Sequence, residues 1–224
     1  MKIILSPAKQ MQIDRESGCS LTEPIYRNEA RQVLRWLQGM TLEQAVTPAL
    51  LAYVGIQYQY MAPTVFEDGQ LEYAQDRVRI LSGLYGALRP LDGVIPYRLE
   101  MQAKGAPEGY KDLYQFWGDR LYRAVRDESG VILNLASKEY SKAVEKYLQP
   151  GDRFVTVVFG EQVGEKIVQK GVYAKMARGE MVRYMAGIQA EAPEDIQDFC
   201  WSRYHFSAEE SDERRMVFVR KAAR

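Results

Sequence analysis

Two short apolar runs constrain the fold of this 224-residue chain more than any other feature: Ile3-Ile4-Leu5, and Val131 to Leu135 interrupted only by Asn134. A run of this kind has no polar face to offer water, so each reads as a strand covered on both sides. Each also stops at small and polar residues, Ser6-Pro7-Ala8-Lys9 in the first case and Ala136-Ser137-Lys138 in the second. Strands buried on both faces need helices above and below them. The expected fold class is therefore α/β (mixed α+β), a single domain over residues 1–224 with a central mixed sheet covered by helices. The 46% hydrophobic content is enough for one substantial core.

Periodicity fills in the rest. Ala30, Val33, Leu34 and Leu37 recur at helical spacing between Ile25 and Met40, predicting an amphipathic helix that ends near Gly39. Thr47-Pro48 can open a second helix through Leu50, Leu51, Val54 and Tyr58. Residues 8–24 read as a loop, Phe66 to Gly69 as a turn, Gln70 to Asp76 as a short helix and Arg77 to Leu81 as a strand. Asp112 to Arg126 reads as one helix, and Ser137 caps another that Pro150-Gly151 stops. Arg153 to Phe159 and Glu165 to Gln169 read as strands about a turn at Gly160 to Gly164, and Met216 to Arg220 as a final strand. The helix from Ala174 to Ile188 places Ala177, Met181, Tyr184 and Ile188 in one apolar sector, with Lys175, Arg178 and Arg183 opposite. Gly179 in its middle costs about 1 kcal/mol relative to Ala, which suggests that something packs closely there.

Chemistry can gather where strand ends meet loops and helix starts. Ser6 and Lys9 follow the first strand; Asn134, Ser137, Lys138, Glu139, Tyr140 and Lys142 follow the other. Ser137 at a helix start leaves backbone N–H groups beside Lys138, favourable for a phosphate or carboxylate; read alone it is an N-cap. Leu81-Ser-Gly-Leu-Tyr-Gly-Ala-Leu-Arg-Pro-Leu-Asp92 is too punctuated for a regular element. It lacks the Lys-Ser/Thr of a Walker A loop and the third glycine of a dinucleotide fingerprint. Gly83, Gly86 and the following Arg89 can present backbone amides and a cation to a phosphate, in a pattern loosely like a helix–hairpin–helix glycine turn. The same glycines equally suit a tight chain crossing. Tyr97 to Met101 alternates, and as a strand puts Arg98 and Glu100 on one face.

The counts exclude several classes. Thirty basic and thirty acidic side chains cancel, so any nucleic-acid site must concentrate its cations locally. Cys19 and Cys200 are too few for a disulfide framework, and with His205 as the only histidine no metal site is expected. No cofactor is implied. No apolar stretch reaches the length of a signal core or a membrane span, so a cytoplasmic protein without membrane contact is expected. Fifteen tyrosines against seven phenylalanines predict many positions with a buried ring and a polar hydroxyl partner.

The segment Leu81 to Asp92, with Pro96-Tyr-Arg-Leu-Glu-Met101 and Lys111-Asp-Leu-Tyr-Gln-Phe-Trp-Gly-Asp119, resembles the central signature of the YaaA family. Ser6-Pro-Ala-Lys9, Asn134-Leu-Ala-Ser137 with Glu139, Tyr140 and Lys142, Ala174-Lys175 with Ala177-Arg-Gly179 and Arg183, and Val217-Phe218 with Arg220 agree in order. The resemblance implies a cytoplasmic protein of hydrogen peroxide survival that limits free iron and so DNA damage. It further implies an unusual mixed α/β fold with a basic cleft and a helix–hairpin–helix-like element, and double-stranded or branched DNA as partner. No reaction is securely attached to the family. Carried over residue by residue, Lys9, Arg89, Arg98, Lys138, Lys142, Lys175, Arg178 and Arg183 belong around the cleft, with Ser6, Gly83, Gly86, Asn134 and Ser137 completing the DNA- or anion-binding set. Against the pattern, the chain lacks a helical segment between about residues 40 and 48, and carries Val54 and Ile56 where members usually have Lys and Asp.

Two functions follow as expectations: DNA binding in a basic cleft, or an enzyme acting in the same cleft on a nucleotide-like or phosphorylated small molecule. For the second, Lys9, Arg98, Glu100, Glu139 and Lys142 are the candidates for acid–base work. Direct iron sequestration lacks ligands. A monomer is expected.

Overall fold

The computed structural model of the chain describes residues 1–14, 18–37, 45–164 and 166–221. Strand β1 (Lys2–Leu5) lies at the centre of the main sheet, parallel to β2 (Val78–Ser82) on one side and to β4 (Val131–Asn134) on the other. Ile3 faces Val78 across one ladder and Leu133 across the other, and Ile3, Ile4 and Leu5 are fully buried. That double coverage is what the unbroken apolar run requires.

The parallel set continues outward from β4 through β5 (Arg153–Val163) to β8 (Arg215–Lys221). Antiparallel strands finish the sheet: β3 (Gly86–Leu88) beside β2, β6 (Lys166–Val168) beside the far end of β5, and β7 (His205–Phe206) beside β8. The mixed α/β class is the one the sequence predicts.

Helices α1 (Arg27–Leu37), α2 (Ile56–Met61) and α3 (Asp68–Arg77) lie between β1 and β2 in the chain. Helices α4 (Leu113–Trp117) and α5 (Arg120–Val125) precede β4, α6 (Lys138–Glu145) follows it, and α7 (Gly171–Ile188) joins β6 to the C-terminal part. Helix α1 buries Ala30, Val33 and Leu34, as its spacing predicts; its expected end near Gly39, and most of the expected deletion at 40–48, lie outside the described residues.

Several elements differ from the expectation, each for a local reason. The helix anticipated from Thr47 is a single turn, Ala49–Ala52, broken where Tyr53-Val54 pairs with Gln10-Met11, and resumed as α2. The helix anticipated over 112–126 is divided at Gly118, whose φ of +53° no helix accommodates. Strand β5 runs on to Val163, past the anticipated turn at Gly160, because β8 and β6 both supply partners there. Helix α3 begins at Asp68, within the anticipated turn, because the Glu67 N–H donates to Gln70 Oε1 (3.0 Å) in a capping box. Helix α7 buries Ala174, Ala177, Gly179, Met181, Val182, Met185 and Ala186, whereas Ile188 is exposed. Its apolar surface is therefore wider than one sector, and α2, α3 and β5 all pack on it.

Candidate functional site

The punctuated stretch after β2 is a strand hairpin. Residues 83–85 turn β2 into β3, and no helix flanks them. A Cβ on Gly83 would lie 2.8 Å from the Leu99 carbonyl oxygen, and one on Gly86 would lie 2.6 Å from Cζ3 of the Trp117 ring. The Gly83 carbonyl accepts a hydrogen bond from Trp117 Nε1 (2.9 Å). These glycines are buried packing positions where chain and indole cross. Arg89 is likewise committed: its Nε donates to Asp92 Oδ1 (3.0 Å) and its guanidinium to the Glu23 carbonyl (2.7 Å). Asp92 is fully buried and also accepts from the Thr22 hydroxyl (2.6 Å), so this cluster ties the loop after β3 to residues 22–23.

Beyond the C-terminal ends of β1 and β4 lies a cavity of about 560 Å³. Its floor is built by strand ends. Ser6 leaves β1 and accepts the Ser137 N–H on its Oγ at 2.8 Å, with Ser137 Oγ 3.2 Å away. Ser137 stands at the N-cap position of α6 but makes no capping bond with its side chain; its hydroxyl joins the two strand ends instead. Asn134, buried just before it, shapes the loop: its Oδ1 accepts the Ala136 N–H (2.9 Å) and its amide donates to Thr156 (3.2 Å). The Ser6 carbonyl in turn accepts from Tyr58 (3.0 Å) and Gln57 (3.4 Å) of α2.

The segment Tyr97 to Met101, anticipated as a strand, is irregular, and its residues 97–100 form one wall. The Tyr97 hydroxyl sits between Ser82 Oγ (2.5 Å) and the Tyr53 hydroxyl (2.7 Å), and its burial pushes the phenol up to about 12. Burial also raises Tyr58 and Tyr140, and the Met101 N–H faces the Tyr140 hydroxyl. All three phenols are neutral hydrogen-bonding groups at pH 7.

The lining holds four cations, Lys9, Arg98, Lys175 and Arg178, against two carboxylates, Glu100 and Glu139. Lys9 and Glu100 pair at 2.6 Å, a contact that holds the Glu100 carboxyl below its ordinary range. Glu139 Oε1 accepts the Gln102 N–H (3.2 Å). Arg98 and Lys175 are exposed and make no hydrogen bond or ion pair among the described residues. Arg178 is half-buried; its Nε is shut off from water with no acceptor, and burial without a neighbouring carboxylate lowers its pKa.

Of the residues singled out from sequence, Ser6, Lys9, Arg98, Glu100, Ser137, Glu139, Lys175 and Arg178 thus share one cavity. Lys138 lies outside it, paired with Glu145 at 2.7 Å. Lys142 stacks over the Tyr114 ring, 4.2 Å from its centroid, and Arg183 stands a turn and more beyond the cavity on α7. The sequence reading missed Gln57 and Tyr58 as lining residues, since α2 comes to the site only through its crossing with α7. Gly179 was the available signal: a Cβ there would sit 2.0 Å from the Gln57 carbonyl oxygen.

The peroxide stress protein YaaA family model matches residues 42–210. A UPF0246 protein of Agathobacter rectalis is 49% identical over 249 aligned positions, covering the whole of both chains. Similar proteins of Lachnoclostridium phytofermentans (47% identical, 98% of this chain and 96% of the relative) and Pediococcus pentosaceus (43%, 98% of each) bear the same UPF0246 designation.

Proposed function

The chain belongs to the peroxide stress protein YaaA family, and from that premise we propose that it serves the cytoplasmic response to hydrogen peroxide by binding a phosphorylated, nucleotide-like ligand in the cavity beyond β1 and β4. The observation that carries this reading is the convergence there of Ser6, Ser137 and four cations on a chain of zero net charge. A volume of about 560 Å³ falls among small-molecule sites, which span roughly 300–1,000 Å³. The first N–H groups of α6 have no intrahelical partners and begin beside Ser137. For an enzymatic step the lining offers Glu100, Glu139 and Lys9 as proton-transfer groups. Limitation of free iron and of DNA damage then follows from what the cavity binds, because no group of His, Cys, Asp and Glu among the described residues could hold a metal. No described helix is long and apolar enough to cross a membrane.

A second reading, DNA binding, is favoured by Arg98 and Lys175, two exposed cations at the cavity that make no ion pair or hydrogen bond among the described residues. The two readings separate by salt. Binding of adenosine 5′-monophosphate and of a duplex and a branched DNA is measured by fluorescence competition between 20 and 200 mM salt. The variant carrying Arg98→Ala and Lys175→Ala should lose about 0.9 per phosphate contact from the slope of log affinity against log salt for DNA, with a weaker effect on the nucleotide. Absence of binding by every probe at the lowest salt would sink both readings.

A further inference from the structure

Helix α7 brings to the cavity a cation of a different kind from those at its mouth. Lys9, Arg98 and Lys175 are exposed, whereas Arg178 is half-buried and carries an Nε–H that reaches neither water nor any acceptor. An arginine offers five N–H donors in a planar fork. Leaving one of them buried and unpaired forfeits its hydration without a hydrogen bond in return. No carboxylate compensates that arrangement: none pairs with Arg178 among the described residues, and burial lowers its pKa. What holds it in place is the backbone. Gly179 lets α7 press against Gln57 and Met61 of α2, closer than any side chain would permit, and this sets Arg178 beside Gln57 and Tyr58 in the lining.

We infer that Arg178 is the specificity-determining residue of the site, and that its partner is the terminal phosphate of a small, ring-bearing monophosphate ester rather than a phosphodiester of duplex DNA. The inference rests on the phosphorylated-ligand reading above and narrows it. A terminal phosphate presents two or three oxygens to the guanidinium fork at once, and it can enter a cavity of about 560 Å³ on the end of a small molecule. A duplex phosphate is held on a stiff rod whose flanking residues cannot follow it inside. The Ser6 and Ser137 hydroxyls, 3.2 Å apart, supply further polar contacts. Tyr58, Tyr97 and Tyr140, whose hydroxyls are held by the protein itself, contribute ring edges to the lining beside the rest of the ligand.

Isothermal titration of the full chain tests this with adenosine 5′-monophosphate, cytidine 5′-monophosphate, ribose 5-phosphate, adenosine and a 20-base-pair duplex as probes. At least one monophosphate should bind, and adenosine should bind more weakly than its monophosphate by on the order of a hundredfold. Arg178→Met should remove a similar factor from monophosphate binding and leave duplex affinity within about twofold, and Arg178→Lys should restore part of the loss. In the absence of ligand, Arg178→Met should melt higher than wild type by about 2–4 °C, since it replaces an uncompensated charge with a side chain of similar length. Monophosphate binding unchanged by Arg178→Met overturns the inference while leaving the phosphorylated-ligand reading intact. If the duplex binds and no monophosphate does, the inference likewise fails. Failure of every probe, with the wild-type melting transition intact, removes the underlying reading as well.

Discussion

At the scale of single residues, Tyr97 shows how closely stability and site are joined. Its ring packs edge-on against Tyr85 and Tyr53, with centroids 5.6 and 6.4 Å away, while its hydroxyl bridges Ser82 and Tyr53. Tyr97→Phe keeps the ring and deletes the bridge, leaving two buried hydroxyls short of a partner. The expected loss is about 1–3 kcal/mol, measured by urea unfolding with an unchanged slope; a loss below 0.3 kcal/mol on that same order-of-magnitude scale would show that the remaining hydroxyls re-pair. Ser6→Ala acts on the floor of the cavity by a different route, since it strips the acceptor from the Ser137 N–H. Ring packing is untouched there, so monophosphate affinity should fall more than stability does.

Among elements, the crossing of α2 with α7 decides whether there is a cavity. Gly179 is the contact point, and an added Cβ would meet the Gln57 carbonyl oxygen at 2.0 Å and the Met61 nitrogen at 2.8 Å. Both are backbone atoms and cannot swing aside. Gly179→Ala raises intrinsic helix propensity by about 1 kcal/mol, yet overpacking of this kind costs about 1–3 kcal/mol. The net expectation is destabilisation together with loss of ligand affinity, because Gln57, Tyr58 and Arg178 all move when the helices separate. A stabilised variant that still binds would show the crossing to be looser than the geometry requires. On the opposite flank, Glu161 of β5 is buried between Lys170, which precedes α7, and Arg220 of β8, whose guanidinium stacks 3.7 Å from the Tyr173 ring centroid. That cluster fixes the start of α7 to the sheet while Gly179 fixes its middle.

For the whole molecule, charge is balanced overall and unevenly placed. Hydrogen bonds from Lys2, Lys170 and Arg153 hold the carboxyls of Asp76, Glu161 and Glu194 respectively below their ordinary values. A carboxyl depressed in the folded state contributes stability that is complete above its unfolded pKa, about 3.9 for Asp and 4.3 for Glu. That stability disappears as pH falls through the lower folded value. The melting temperature should therefore hold level from pH 7 to about 5 and drop below about 4. Glu161→Gln should melt lower at pH 7, leaving Arg220 and Lys170 uncompensated, and should show a smaller acid drop. A decline already complete by pH 5 would assign acid sensitivity to other groups.

In the sequence by itself the residues declare their own immediate needs. Ile3-Ile4-Leu5 demands cover on both faces whatever covers it, the helical spacing of Ala30, Val33 and Leu34 demands a buried stripe, and the blocks from Leu81 to Asp119 identify the family. Those properties are local in chain and therefore legible: class, central strands, most helices and the family. Which cations meet is not local. Lys9 and Lys175, far apart in sequence, share a cavity, while Lys138 turns to Glu145 and Arg89 to Asp92. A basic residue next to a motif looks the same in sequence whether it faces a ligand or a carboxylate, because its partner is chosen by long-range packing. Only the tertiary structure decided that the glycines at 83 and 86 admit a carbonyl and an indole, and that Arg178 is held half-buried without a partner by a helix crossing at Gly179.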